Sequence, residues 1–178
     1  MPQTPAREVY NAGFQWKLTI PAGFDDVDSA ELAQAQNKGA RAIEQTYNNK
    51  VENHTTPLFV FKSGRFNRFE SNRQPFDVAK DGDYRRSCKN VDEILYQTLK
   101  AQSKGAKIDT SYSSETIDKV VFEVFSLKMN LGGGHELDML LYGHLFNRQE
   151  LSVSVGYLDA DKGTQMLSAL RRSTFGSN

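Results

Sequence analysis

One cysteine, Cys88, stands in 178 residues, so the chain can form no internal disulfide and no cysteine-rich zinc site. An excess of one charge is missing too, since 22 Lys and Arg balance 22 Asp and Glu. Without a net field there is no global attraction for nucleic acid or an anionic membrane, and neither is expected as a partner. No apolar run approaches the ~20 residues a membrane helix needs, and the opening MPQTPAREVYNAGF lacks the basic-then-apolar order of a signal peptide. As written, the chain is expected to be soluble and cytoplasmic; a signal or lipobox trimmed from upstream of Pro2 would instead make it exported or lipid-anchored. Five prolines and 13 glycines are too few for a fibrous or disordered chain. There is no Gly-x-Ser-x-Gly elbow, no His-Glu-x-x-His pair and no Gly-x-Gly-x-x-Gly after a strand, which leaves three common enzyme classes without their usual support. Neither enzymatic activity nor a cofactor is expected.

What is present suffices for one core. Hydrophobic residues make up 38% and aromatics 11%, and the length suits a single domain. Residues 10–175 are expected to form it, with 1–9 as a flexible tail. Phe14, Trp16, Leu18 and Ile20 alternate with polar residues, the period of a half-buried strand ended by Pro21-Ala22-Gly23. Asp28 with Glu31 has capping-box spacing, and Leu32, Ala35, Ala42 and Ile43 share a helical face reaching Tyr47, which Gly39 weakens at its middle. LFVFKSGRFNRFE, opened by Pro57, holds two strand-like runs around Ser63-Gly64, either a tight hairpin or one bulged strand. Residues 71–89 read as a polar, flexible connection, and Asn90 with Glu93 as the start of a helix closed by Gly105. Beyond it, 108–114, 117–129, 136–146 and 151–157 form an antiparallel meander, with Gly132-Gly133-Gly134 and Asn147-Arg148-Gln149 as turns. A terminal helix over about 161–174 is expected to cover one sheet face with Met166, Leu167 and Leu170. The order gives an α+β class, an antiparallel sheet flanked by helices in an α/β/α sandwich, and argues against a parallel nucleotide-binding sheet.

Two stretches carry a resemblance. YNAGFQWKLTIPAG, Tyr10 to Gly23, is similar to the aromatic strand and Pro-Gly turn that open members of the PsbP/Mog-like superfamily. LSVSVGYLDADKGTQMLSALRRSTF looks like that family's last strand, acidic turn and helix, ending in Ser173-Thr174-Phe175. The chain thus resembles an uncharacterised bacterial-type member across nearly its whole length. The resemblance implies an adaptor or assembly factor without catalysis, and it carries over no functional residue.

Two surfaces are candidate sites. The aromatic-basic stretch around Arg65, Phe66, Arg68 and Phe69, continued by Arg85 and Arg86, lies in a segment where residues 62–89 hold eight basic and four acidic residues. That local bias suits an acidic protein partner, and an apolar patch near Phe66, Phe69 or Phe76 is expected with it. The second is a polar row on one strand face, Glu136, Asp138, Tyr142 and His144. Asp138 and His144 would lie ~20 Å apart, too far to share a metal ion, so a small-molecule or metal site here needs a neighbouring strand. Cys88 beside Arg85, Arg86 and Lys89 could be an activated thiol, but a lone semi-buried or exposed thiol is the simpler reading, and the glycine triplet reads as a hairpin tip. The leading expectation is a binding or assembly module acting through a protein partner. The alternatives are a small-molecule or metal-binding protein using the 136–144 face, or an accessory domain of an envelope or lipoprotein assembly.

Overall fold

The computed structural model describes residues 3–50 and 52–176. The chain opens with the hairpin β1 (Arg7–Asn11) and β2 (Trp16–Ile20), paired from Arg7 opposite Ile20 to Asn11 opposite Trp16. Residues 7–9 are therefore strand rather than tail. They hold too few apolar residues to alternate visibly, and the free edge of β2 supplies the pairing; Arg7 also donates to the Phe24 carbonyl at 2.9 Å. Met1 and Pro2 lie outside the described residues. After the short β3 (Asp25–Asp26) comes α1 (Ser29–Tyr47), unbroken at Gly39, with Asp28 accepting from the Glu31 amide at 2.8 Å as its spacing predicted.

β4 (Thr56–Ser63) and β5 (Asn67–Pro75) form a hairpin, so the break at Ser63-Gly64 is a turn and not a bulge in one strand. The expected polar connection over 71–89 does not exist. β5 runs through its first five residues, α2 (Val78–Asp81) follows, and α3 (Tyr84–Gln102) begins six residues before Asn90. The cap is Asp83, which accepts from the Arg86 amide at 2.9 Å, and it pre-empts the Asn90/Glu93 pair downstream.

β6 (Ile108–Ile117), β7 (Val120–Gly132), β8 (His135–Phe146) and β9 (Gln149–Tyr157) make the expected meander. The first break falls at Asp118-Lys119, both with positive φ, and not between 114 and 117. Gly132, Gly133 and Gly134 also all take positive φ at the β7–β8 turn, a conformation that favours glycine. Then α4 (Ala160–Arg171) ends earlier than expected, and β10 (Thr174–Phe175) pairs with β2.

The sheet order is β3-β4-β5-β9-β8-β7-β6, all antiparallel, beside a smaller sheet β1-β2-β10. The class is α+β. One face of the large sheet meets the small sheet and α4, enclosing Trp16, Phe61, Phe69, Val153, Met166 and Leu170. Trp16 donates from Nε1 to Ser173 Oγ at 2.9 Å and stacks on Phe175, joining the two ends of the chain. The opposite face is covered by α3, whose Leu95 and Leu99 pack on Phe125, Leu127 and Met129. That apolar contact lies toward the C-terminal half of α3. The N-terminal half meets a different part of the sheet.

Candidate functional site

Three sheet residues determine what the first half of α3 covers. Because successive side chains on a strand alternate faces, β9 sends Leu151, Val153 and Val155 into the core and leaves Ser152, Ser154 and Glu150 on the α3 side. β5 adds Asn72 and Gln74 to the same surface. On the helix, Tyr84, Cys88, Asp92, Leu95 and Leu99 recur at spacings of four, four, three and four, a single stripe facing the sheet. The stripe is polar where it meets β5 and β9 and apolar where it meets β7. A groove of about 640 Å³ opens over the polar half, with Val91, Tyr112 and Lys89 at its rim.

Gly143 of β8 lets the helix come this close. A Cβ built there would stand 2.7 Å from Tyr84 Oη and 3.7 Å from both Cys88 Sγ and Glu150 Oε1. Tyr84 donates to Glu150 Oε1 at 3.1 Å, and Gln74 donates to the other carboxylate oxygen. Burial, reinforced by the Glu150 charge, pushes the Tyr84 phenol far above its ordinary range. Burial likewise raises the Cys88 thiol to about 11 despite the nearby Tyr84 hydroxyl, which opposes the shift, and the charges of Glu150, Asp92 and Glu123 raise it further. Its acidic neighbours in space thus outweigh its basic neighbours in sequence. Cys88 is a half-buried free thiol, not an activated one.

Two acceptors in the groove have no donor. Asp92 is 8% exposed and makes no hydrogen bond or ion pair among the described residues; burial, then the charge of Glu150, raises it to about 6. Asn72 Nδ2 donates to Glu70 at 3.2 Å, but its Oδ1 is a buried polar atom with no partner. Leaving the buried Asn72 Oδ1 unpaired costs about 1 to 3 kcal/mol, whereas the Asp92 oxygens keep some contact with the groove. The groove between β2 and α4 differs: Lys17 and Glu8 at its rim pair at 3.0 Å, and none of its buried side-chain atoms lacks a partner.

The sequence candidates fall elsewhere or apart. Phe69 is buried, stacked on Phe61 with centroids 4.5 Å apart, and Phe76 is buried edge-on against Tyr84. Phe69 and Phe76 therefore add nothing to the apolar patch expected near Phe66, Phe69 or Phe76, because the alternation of β5 turns Phe69 inward and α3 covers Phe76. Phe66 alone is open, 51% exposed, with the Arg65 guanidinium 5.1 Å from its ring centre. Arg68 is half-buried between Glu70 at 3.0 Å and Glu31 at 3.8 Å. Arg85 pairs with Glu123 at 2.6 Å at the groove rim, and Arg86 is exposed on the first turn of α3.

The polar row of β8 does share one face, but its members do not converge. Glu136 and Asp138 both hold Lys128, at 3.1 and 3.2 Å. Tyr142 is buried and donates to Glu115 at 2.9 Å, while His144 Nδ1 lies 2.7 Å from the Val121 carbonyl oxygen with its ring against Phe122 and Phe146. The Arg171 guanidinium beside Glu115 holds that carboxyl below its ordinary range. Among the described residues no group of three or more His, Cys, Asp or Glu is placed to hold a metal ion, and no helix is long and apolar enough to cross a membrane. The sequence reading missed Asp92, Asn72, Gln74 and Glu150. The signal for Asp92 was the stripe itself, which becomes readable once α3 starts at Tyr84.

A large antiparallel sheet with α1 and α3 on one face, and α4 with a small N-terminal sheet on the other, defines a PsbP-like α+β fold. The chain is similar to the solution structure of cyanobacterial PsbP (CyanoP) from Synechocystis sp. PCC 6803, with a TM-score of 0.59 over 97% of this chain and 94% of that one. Their sequences are 10% identical, so the likeness is one of fold. No family model and no curated protein matches the chain.

Proposed function

We propose that this protein is a non-catalytic accessory or assembly module of PsbP/Mog-like type, formed as one domain, that engages a protein partner through the groove between α3 and the sheet. The observation that carries the reading is the unpartnered Asp92 carboxylate in an open groove rimmed by Val91 and Tyr112, 54% and 51% exposed. Unsatisfied polar groups beneath exposed apolar side chains are what a partner segment would complete. The nucleophile candidates there support binding over chemistry, since Cys88 is held as thiol and Tyr84 as neutral phenol. The PsbP-like fold adds a prior in the same direction. The reading moves the contact surface from the Arg65–Phe66 turn to α3, where Arg85 and Arg86 flank it.

The test is site-specific photo-crosslinking in the native cell. A benzophenone side chain at Val91 is expected to capture one protein reproducibly, which then binds the purified chain, while the same group at exposed Leu131 on the far β7–β8 turn captures none. Capture from Phe66 or Leu131 but not from Val91 would place the contact outside the groove and overturn the reading.

A further inference from the structure

The groove is lined by more acidic than basic side chains, which specifies what can fill it. Its resident cations are already engaged: Arg85 with Glu123 at 2.6 Å, and Lys89 over the Tyr112 ring at 5.8 Å. Its amide donors and the Tyr84 phenol are engaged as well, with Gln74 and Tyr84 both turned to Glu150 and the Asn72 amide nitrogen to Glu70, which leaves only hydroxyls. What is left facing the space is the Asp92 carboxylate, with the Ser152 and Ser154 hydroxyls beside it, while Asn72 Oδ1 is itself buried. An anion would meet the charges of Asp92, Glu150 and Glu123 with both lining cations engaged and only hydroxyls to donate to it. An apolar group would leave the Asp92 carboxylate unpaired. A cation bearing N–H groups pairs with Asp92 and neutralises its charge.

Resting on the reading above, we infer that the groove receives a basic side chain, a lysine or arginine of the partner, whose N–H groups bond to Asp92 while its aliphatic stem lies against Val91 and Tyr112. Such a stem suits the rim, because lysine and arginine carry an apolar chain behind the charged head. Lys89 stands one helical turn from Asp92 and is the competing cation. Seating should strengthen as pH rises through about 6, where Asp92 loses its proton. The groups facing it are Tyr84 and Cys88 on α3, both neutral through that range, Lys89 on the same helix, Tyr112 from β6, Glu123 from β7 and Glu150 from β9.

The experiment is an amide NMR titration of the full chain with blocked five-residue peptides, Gly-Gly-X-Gly-Gly, with X as lysine, arginine, norleucine or glutamate, and with n-butylammonium as a free amine. Lysine or arginine peptides are expected to shift the Asn72 side-chain amide and the Ser152 and Ser154 backbone amides, with Kd in the ~1 to 10 mM range of a single charged contact. Norleucine and glutamate should leave them in place. The peptides should bind at least threefold tighter than n-butylammonium, which marks a side chain presented on a backbone rather than a free amine. Asp92→Asn should weaken binding about tenfold and abolish its pH dependence, and Lys89→Met should tighten it. Equal shifts from norleucine or glutamate, unchanged binding by Asp92→Asn, or no shift from any basic peptide would overturn the inference. The Val91 crosslink would stand in each of those cases, so the two readings fail separately.

Discussion

The Tyr84 hydroxyl stands over Gly143 so closely that a Cβ on that glycine would lie 2.7 Å away. This contact seats the first turn of α3 on β8 and brings its polar stripe to Glu150. Gly143→Val is therefore expected to push Tyr84 off Glu150 and to lower stability by about 1 to 3 kcal/mol, the usual cost of overpacking. Urea unfolding measures it. A variant with a wild-type midpoint would show that α3 does not rest on this strand.

Asp92 makes stability depend on pH in a direction opposite to most carboxylates. Raised from 3.8 to about 6, it keeps a proton in the folded chain that the unfolded chain releases between those values. The folded state thus binds more protons there, and this group's contribution falls as pH rises from ~4 to ~6 and stays lowered above. The upper bound is about 3 kcal/mol, from two units at 1.36 kcal/mol each. Asp92→Asn is expected to be more stable than wild type by about 1 to 2 kcal/mol at pH 8 and indistinguishable at pH 4. Destabilisation at pH 8 would mean that Asp92 has a partner.

Glu115 works the other way. Arg171 lowers it and the Tyr142 hydroxyl bonds to it, so its contribution is present above its ordinary value of 4.5 and is lost as pH falls through the lower folded value. Glu115→Gln should cost on the order of 1 kcal/mol at pH 7, and that deficit should vanish in strong acid. Unfolding curves at both pH values decide it; a deficit that persists in acid would point to packing rather than charge.

Ser173→Ala removes the acceptor of the buried Trp16 Nε1–H, leaving that donor unpaired. A loss of about 1 to 3 kcal/mol is expected, largely recovered in a Trp16→Phe background where the donor is gone. Additive losses in the double variant would contradict a coupled pair.

Burial of Cys88 should be visible in its chemistry. With the thiol pushed up to about 11, reaction with a disulfide reagent at pH 7.5 is expected to run at least tenfold slower than for a free thiol, and to recover on unfolding. A rate equal to that of a free thiol would place Cys88 outside the packed face.

The sequence revealed periodicity well and interruptions poorly. Alternation in 151–157 and the helical spacing of Met166, Leu167 and Leu170 were legible because each face has one chemistry, and α4 does cover that strand. The 71–89 segment misled because polar residues do two jobs. Asn72 and Gln74 are strand residues whose side chains line the groove, and Asp83 is a cap, yet all read as loop. Phe69 misled in the opposite sense. Beside Arg68 it looked like a contact surface, but the strand alternation that exposes one buries the other. The groove itself could not be read locally, since it joins Asn72, Asp92 and Glu150, which are far apart in sequence and meet only through the β5–β9 pairing and the docking of α3.

The most direct test of the central claim is the affinity of the crosslinked partner, once purified, for two variants measured side by side. Ser152→Trp fills the groove floor, and Phe66→Ala removes the exposed ring at the β4–β5 turn. If the groove is the contact surface, the first loses affinity at least tenfold with its fold intact by circular dichroism, while the second stays within twofold of wild type. Full affinity in Ser152→Trp together with a tenfold loss in Phe66→Ala would contradict the account and return the contact to the Arg65–Phe66 turn.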